Sequence, residues 1–301
     1  MARPALLAPS LLAYAQVAAG IGALCAMDAL VKYLALRHGV PLTTFARYGS
    51  GVLIALVVWL VQGRPVMAPG GWRAHLLRGG LIVAMALLFF WALTQLTLAL
   101  ALTLAFVGPL LVPPLAALFL KEPMQPRFVI AGLIGFAGVV VAAGGVPDLA
   151  GTRLLAVLAA VAAALLYALT SLVLRARAAV DGPTVITLMG AAVPALILSP
   201  TLIGAGPVGV TDLALMLATG LVGNLGVQLM ARGYASLQAQ AAAVMEFTGL
   251  PWAALLGWLF FAEAVAPTTI LGAIIIAAAC LWAARADRRL PVTAPPPAPV
   301  P

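Results

Sequence analysis

Charged side chains are rare in this sequence. They make up 8% of its 301 residues, whereas 64% of the residues are hydrophobic. A water-soluble domain could not cover its core with so few charges, so the composition excludes that class of protein. Cysteine and histidine are scarce too. Cys25 and Cys280 lie inside apolar runs, which excludes a disulfide framework or metal-ligand spacing, and His38 and His75 fall in short polar connections where we expect them to be solvated.

Motifs for catalysis and for nucleotide binding are also missing. The sequence contains no HExxH motif, no Gly-x-Ser-x-Gly motif and no phosphate-binding loop. It also lacks the basic run with interleaved aromatic residues that is typical of nucleic-acid-binding proteins. We therefore predict a protein that is not an enzyme, that binds no cofactor or metal ion, and that has no nucleic acid partner.

Apolar runs of membrane-spanning length are abundant instead, and they recur up to Trp282. They predict an all-α polytopic membrane protein with short connections, for example at 181–183, where the sequence reads Asp-Gly-Pro. The Pro-rich tail after Arg289 is expected to be disordered. Ten helices are predicted, at about 11–36, 42–62, 73–96, 99–120, 127–145, 153–176, 183–203, 211–233, 239–262 and 267–285.

The basic residues predict how the chain is oriented in the bilayer. With the N-terminus inside, 12 of the 16 Lys and Arg residues fall in inner segments, and only Arg37 and Arg153 fall in outer connections. Lys32 and Arg47 lie near outer helix ends, from which their side chains can snorkel to the interface. This bias predicts that both termini are cytoplasmic.

One long stretch of the chain is repeated. Residues Leu98–Pro126 resemble residues Gln240–Pro267, and a shift of 141 positions aligns seven identities over the 21 residues that begin at Phe106. Glu122 and Glu263 are among the aligned pairs. The pattern indicates an internal duplication.

The duplication predicts two halves that cross the membrane in opposite senses, because an odd number of predicted helices separates the aligned stretches. Inverted repeats are usual in alternating-access carriers, whose substrate site lies between the halves near the midplane. We therefore predict a first five-helix repeat at 1–147, an inverted second repeat at 148–289 and a disordered tail at 290–301.

These features resemble the drug/metabolite transporter superfamily, in its EamA-type branch of ten helices. The resemblance covers about residues 10–286. It rests on the five-plus-five arrangement, the Phe-Ala-Arg sequence at 45–47, the matching helix ends at 119–122 and 260–263, and the glycines of 132–138. It implies an exporter in a bacterial inner membrane, and aromatic amino-acid exporters are the most similar members.

Two carboxylates inside the predicted helices are candidates for substrate binding, because a charge in hydrocarbon is costly. Asp28 lies midway along the first helix, where it can meet a substrate amino group or a proton, or else pair with Lys32 one turn away. Glu246 has no basic residue within a turn. It is a candidate gate, proton carrier or cavity acceptor, or alternatively a neutral carboxyl held by a backbone partner.

Polar and aromatic residues on three other helices are candidates to line a cavity. Residues four apart share a helix face, and the sequence has two such pairs, Asn224 with Gln228 and Trp91 with Gln95. Tyr167 offers a hydroxyl group on a third helix. Interhelical hydrogen bonding or packing would explain each of these residues equally well.

Four residues are predicted to be structural. Glu122 and Glu263 follow matching helix ends on opposite sides of the membrane, where each carboxylate would cap a nearby helix N-terminus. Pro109 and Pro251 fall one position apart in the aligned repeats, and each should kink its helix beside the cavity. For Arg47, attraction of anions from the outer side is the alternative to snorkelling or a structural pair.

The sequence as a whole predicts a secondary transporter that exports small amphipathic metabolites by alternating access. A cavity of aromatics, amides and two carboxylates suits a zwitterion such as an aromatic or large neutral amino acid. The alternatives are an exporter of drugs or other metabolites, a membrane-embedded enzyme acting on a lipid, and a structural membrane subunit. The predicted partners are a small-molecule substrate and the lipid bilayer, and the chain is expected to be a monomer or homodimer.

Overall fold

The computed structural model describes residues 11–108, 111, 115, 118–119, 126–142, 151–234 and 248–287. This described part is built of helices and contains no β-strand. The helices are α1 (Leu11–His38), α2 (Val40–Val61), α3 (Trp72–Gln95), α4 (Leu98–Ala105), α5 (Pro126–Ala142), α6 (Gly151–Leu198), α7 (Val210–Tyr234), α8 (Gly249–Phe261) and α9 (Pro267–Asp287), with a short 3-10 helix at Ser199–Leu202.

Six segments of the described helices are long and apolar enough to cross a membrane. Large apolar side chains on these segments face outward, and Val57, Leu196 and Leu221 are 59%, 70% and 61% exposed. Such surfaces suit hydrocarbon rather than water. The chain is therefore an α-helical, multi-pass membrane protein. The six segments are Ala15–His38, Val40–Val61, Trp72–Gln95, Gly151–Val173, Thr184–Leu202 and Val210–Met230.

Helix α6 differs from the sequence prediction. The turn residues at 181–183 predicted a connection between two helices, but helical structure continues from Gly151 to Leu198. Asp181 accepts hydrogen bonds from Arg177, one turn earlier, just before the Gly-Pro sequence at 182–183. The prediction of a break in the helical backbone was wrong. A pair four residues apart in a helix is worth only about 0.2–0.5 kcal/mol, so it makes a small contribution to the continuity. The apolar segments of α6, at 151–173 and 184–202, flank the polar stretch.

Glycines bring α7 close to α1 and α2. A Cβ atom built on Gly220 would lie 2.8 Å from the backbone nitrogen of Gly51, and one built on Gly226 would lie 2.9 Å from the carbonyl oxygen of Gly20. No larger residue fits at such distances without a shift of the helices. Small residues at helix crossings are typical of membrane proteins, where close packing drives helix association. The three helices thereby enclose a polar interior.

Several predictions fall outside the described residues. Glu122, Pro109, Glu246 and the tail at 290–301 all lie there. The helix predicted at 99–120 is described as α4 up to Ala105, and the helix predicted at 239–262 is described as α8 from Gly249.

Candidate functional site

A buried carboxylate lies in the polar interior, on α1. Asp28 is 7% exposed, and it has no ion-pair partner among the residues that the structure describes. Arg47, on α2, lies within electrostatic reach of it. Lys32, the alternative partner one turn away, pairs with Glu263 instead. The carboxyl oxygens of Asp28 are therefore not committed to a direct pair with Lys32.

Arg47 occupies the same interior, where α1, α2 and α7 meet. Its Nε lies 2.8 Å from the Sδ atom of Met27, and its guanidinium carbon lies 5.5 Å from the ring centre of Tyr48. Gly223 of α7 leaves room for it, because a Cβ atom there would lie 2.7 Å from Nη2 of Arg47. The structure thus places Arg47 between helices and close to Asp28, rather than snorkelling to the interface.

The predicted pair on α7 divides between two environments. Asn224 is half-buried beside α2, its Nδ2 atom 3.8 Å from a Cβ atom built on Gly51, and it donates to the carbonyl oxygen of Gly220 at 2.9 Å. Gln228, one turn further on, is exposed. Asn224 therefore joins the polar interior around Arg47, whereas Gln228 lies on the surface of the described bundle.

Trp91, Gln95 and Tyr167, the candidates on two other helices, differ in their surroundings. Trp91 is half-buried against the apolar core, and Gln95 is exposed, with its Nε2 atom 3.0 Å from the hydroxyl of Thr94. Tyr167 is 45% exposed, and its ring packs where a Cβ atom on Gly108 would lie 2.9 Å away. The structure therefore does not bring these three residues together with Asp28 through any contact that it describes.

Pro251 lies in the first turn of α8, which begins at Gly249 after Thr248. A proline in the first turn of a helix removes no intrahelical hydrogen bond, because the N–H groups there have no partner in the helix. The residues just before Thr248 lie outside the described part of the chain, so the kink at Pro251 stays a prediction.

A second cluster joins α1 to the ends of α4 and α8. The buried ammonium of Lys32 pairs with Glu263 and donates to the carbonyl oxygen of Leu96 at 2.6 Å. The other oxygen of Glu263 accepts from the backbone nitrogen of Leu98 at 2.7 Å, at the N-terminus of α4. Gly257 leaves space for this carboxylate, since a Cβ atom there would lie 2.6 Å from it. The carboxylate thus meets a helix N-terminus and a buried cation together.

A third cluster joins the end of α1 to the start of α7. Asp212 accepts from Nε of Arg37 at 3.2 Å and lies 2.7 Å from Nε2 of His38. A surface cavity of about 510 Å³ lies beside it, lined by both basic residues and by residues 203–207. Because Asp212 already engages Arg37 and His38, this cavity is a weaker candidate for substrate binding than the interior around Asp28.

A fourth cluster joins the start of α3 to the middle of α6. The side chain of Asp181 accepts from Arg177 at 2.7 and 2.9 Å, from the backbone nitrogen of Ala68 at 3.1 Å, and lies 3.0 Å from Nε2 of His75. His75 is 3% exposed. The prediction that both histidines are solvated was therefore wrong, because each meets a carboxylate from a distant part of the chain.

One functional candidate escaped sequence reasoning. Arg78 was grouped with the basic residues of inner segments, but its guanidinium lies between α3 and α6, where its Nη1 donates to the carbonyl oxygen of Ile186 at 3.2 Å. Its position six residues inside the apolar helix α3 was the available signal.

Comparison with known proteins gives a consistent result. The model of the EamA-like transporter family matches the chain twice, at residues 12–144 and 154–285. The chain is 26% identical to the pseudopaline exporter CntI of Pseudomonas aeruginosa over 87% of this chain and 92% of that protein. It is 29% identical to a riboflavin transporter of Rhizobium johnstonii, over 91% of this chain and 90% of that protein.

The crystal structure of another protein shares the fold. It has a TM-score of 0.63 and 21% sequence identity, and the alignment covers 91% of this chain and 98% of the other. A transporter without enzymatic activity fits both the helices and these relatives. The chain belongs to the EamA-like transporter family, within the drug/metabolite transporter superfamily.

Proposed function

We propose that this transporter exports small zwitterionic metabolites, with aromatic or large neutral amino acids as the first candidates. The observation that carries the proposal is Asp28, a buried carboxylate in a membrane helix with Arg47 nearby. A charge in this environment costs free energy, and substrate recognition is a common reason for its presence. A substrate amino group would supply the hydrogen-bond donors that Asp28 can accept.

The proposed architecture is ten crossings in two inverted repeats, at 1–147 and 148–289. The double match to one family model supports it, since each match covers one proposed repeat. In an alternating-access carrier the substrate site lies between such repeats. Arg47 of the first repeat and Asn224 of the second both lie beside Gly51, and Asp28 is within electrostatic reach of Arg47, which fits that position. The proposed location is a bacterial inner membrane, and the proposed oligomeric state is a monomer or homodimer.

The topology predicts the sidedness of three fusion sites. Reporters fused after Arg64 and after Arg289 should both read cytoplasmic, and a reporter after Pro147 should read external. The physical reason is the excess of basic residues in the inner segments. A cytoplasmic signal after Pro147 would contradict the inverted repeat.

The substrate class is tested by flux into proteoliposomes that contain the purified protein. We expect saturable uptake of L-phenylalanine or L-leucine, and we expect Asp28→Asn to weaken it by about tenfold, because a charged hydrogen bond to the amino group is lost. Asp287→Asn, the same substitution at the end of α9, is the matched control and should transport normally. Saturable flux that is equal in the wild type and Asp28→Asn would refute the role of Asp28.

Export of another metabolite or of drugs is the second candidate function. The names of two relatives favour it, since one is a pseudopaline exporter and the other a riboflavin transporter. If the protein transports neither amino acid in proteoliposomes, this candidate takes precedence over amino-acid export.

A further inference from the structure

Arg78 carries a hydrogen-bond donor that no group in the described part of the chain satisfies. It lies in the apolar helix α3, and its Nη1 donates to the carbonyl oxygen of Ile186 at 3.2 Å. Its Nε atom is buried and has no hydrogen-bond partner among the described residues. Leaving a donor on a charged group unpaired is unfavourable, so an acceptor in this position would stabilise the site.

The charge of Arg78 is also unopposed in the described part of the chain. Asp181 and Asp212 are held by other basic groups, and Glu263 pairs with Lys32. Asp28 lies within electrostatic reach of Arg47. The described interior therefore carries one guanidinium more than it has carboxylates, and a half-buried cation of this kind favours a partner with negative charge.

Tyr48 connects Arg78 electrostatically to the polar interior around Asp28. The phenol of Tyr48, on α2, lies within electrostatic reach of both residues and of Arg47. The absence of a side chain at Gly190 lets the guanidinium pack against α6, since a Cβ atom there would lie 2.8 Å from Nη1 of Arg78. A small molecule in this interior would therefore meet a carboxylate in one region and a guanidinium in another.

We propose that Arg78 binds the acid group of the transported molecule, and that the substrate class is accordingly an organic acid or an amino acid. The planar guanidinium suits a carboxylate because its donors lie in a fixed fork. This inference rests on the proposed transport function. The competing role is a clamp in which Arg78 only ties α3 to α6 through Ile186.

The test uses three probes that share one phenyl group. They are L-phenylalanine, 3-phenylpropionate, which lacks the amino group, and 2-phenylethylamine, which lacks the carboxylate. Binding to the purified full-length protein in detergent is measured by isothermal titration calorimetry. Arg78→Gln should weaken binding of 3-phenylpropionate and L-phenylalanine by about tenfold to a hundredfold, and leave 2-phenylethylamine unchanged.

Two further variants keep the result interpretable. Arg73→Gln removes an exposed guanidinium five residues earlier on α3, which stacks on Trp72, and it should bind all three probes as the wild type does. Arg78→Lys keeps the charge without the planar fork, so it should retain the preference for the acid over the amine with lower affinity. This variant still tests the proposal if Arg78→Gln does not fold.

The outcomes separate the two proposals. If the acid does not bind the wild type, or binds Arg78→Gln and wild type equally, the role of Arg78 is refuted and the clamp remains. If amino-acid flux occurs and is equal in the wild type and Arg78→Gln, the proposed function stands and only this inference is overturned. If the acid binds through Arg78 but no amino acid is transported, the inference stands while amino-acid export fails.

Discussion

Glu263→Gln is expected to destabilise the protein by about 3–5 kcal/mol, because it leaves the buried ammonium of Lys32 without a counter-charge. The glutamine oxygen can still accept from the backbone nitrogen of Leu98, so the helix cap is kept. The measured loss of stability then reports the ion pair alone. Thermal unfolding in detergent measures the effect. Substrate affinity should change less than stability, since Glu263 makes no contact with Asp28 or Arg47 among the contacts that the structure describes.

A double-mutant cycle identifies the cause of that loss. Lys32→Met alone leaves the carboxylate of Glu263 unpaired. The double variant, Lys32→Met with Glu263→Gln, leaves no charge at this site. The double variant should therefore be more stable than the sum of the single losses predicts. Arg37→Gln is the control, because its side chain is 53% exposed and a surface pair contributes little. Strictly additive losses would rule out a coupled ion pair.

The fold was largely accessible from the sequence, because membrane helices are recorded in local hydropathy. The predicted helix at 42–62 is observed at Val40–Val61, and the one at 73–96 is observed at Trp72–Gln95. The exception is the stretch 181–183, where Asp-Gly-Pro has the composition of a turn but lies within α6. A pair between Arg177 and Asp181 lies just before the Gly-Pro sequence, and the turn-like composition did not predict the continuous helix.

The partners of the polar residues could not be predicted, because they lie far apart in the chain. Lys32 has an acidic neighbour at i−4, yet it pairs with Glu263, 231 positions away. His75 is flanked by polar connections, yet it is buried against Asp181, 106 positions away. Local spacing supplies no signal for such pairs. Asp28 could be identified as a candidate because a carboxylate within an apolar run is unusual. Its proximity to Arg47 could not be predicted, because it depends on how α1 packs on α2.

The internal duplication relates two of these long-range clusters. A shift of 141 positions places Asp212 on Gly71, one turn before His75, and places His38 on Ala179, two residues before Asp181. In one cluster the acid lies on α7 and the bases on α1, and in the other the acid lies on α6 and a base on α3. The proposed inverted repeat would produce this arrangement if, in each half, charged residues at a helix end paired with residues of the other half.

The cluster around Asp181 gives the last prediction, a large and pH-dependent loss of stability in Asp181→Asn. Asp181 lies between the two apolar segments of α6, and its side chain is fully buried. Hydrogen bonds from Arg177 hold the pKa of this carboxyl below its usual range, and those from Ala68 and His75 act in the same direction. Removing the charge while its cationic partner stays in place should cost about 3 kcal/mol at pH 7, seen as a lower melting temperature in detergent.

The pH dependence of this loss follows from the direction of the shift. A carboxyl whose pKa is lower in the folded protein stabilises fully above its unfolded pKa, about 3.9, and loses that contribution as the pH falls through the folded value. The difference in melting temperature between the wild type and Asp181→Asn should therefore shrink below about pH 4. Asp287→Asn controls for the loss of one negative charge and should show no such convergence. A difference that does not shrink below about pH 4 would mean that the charge of Asp181 is not what stabilises the cluster.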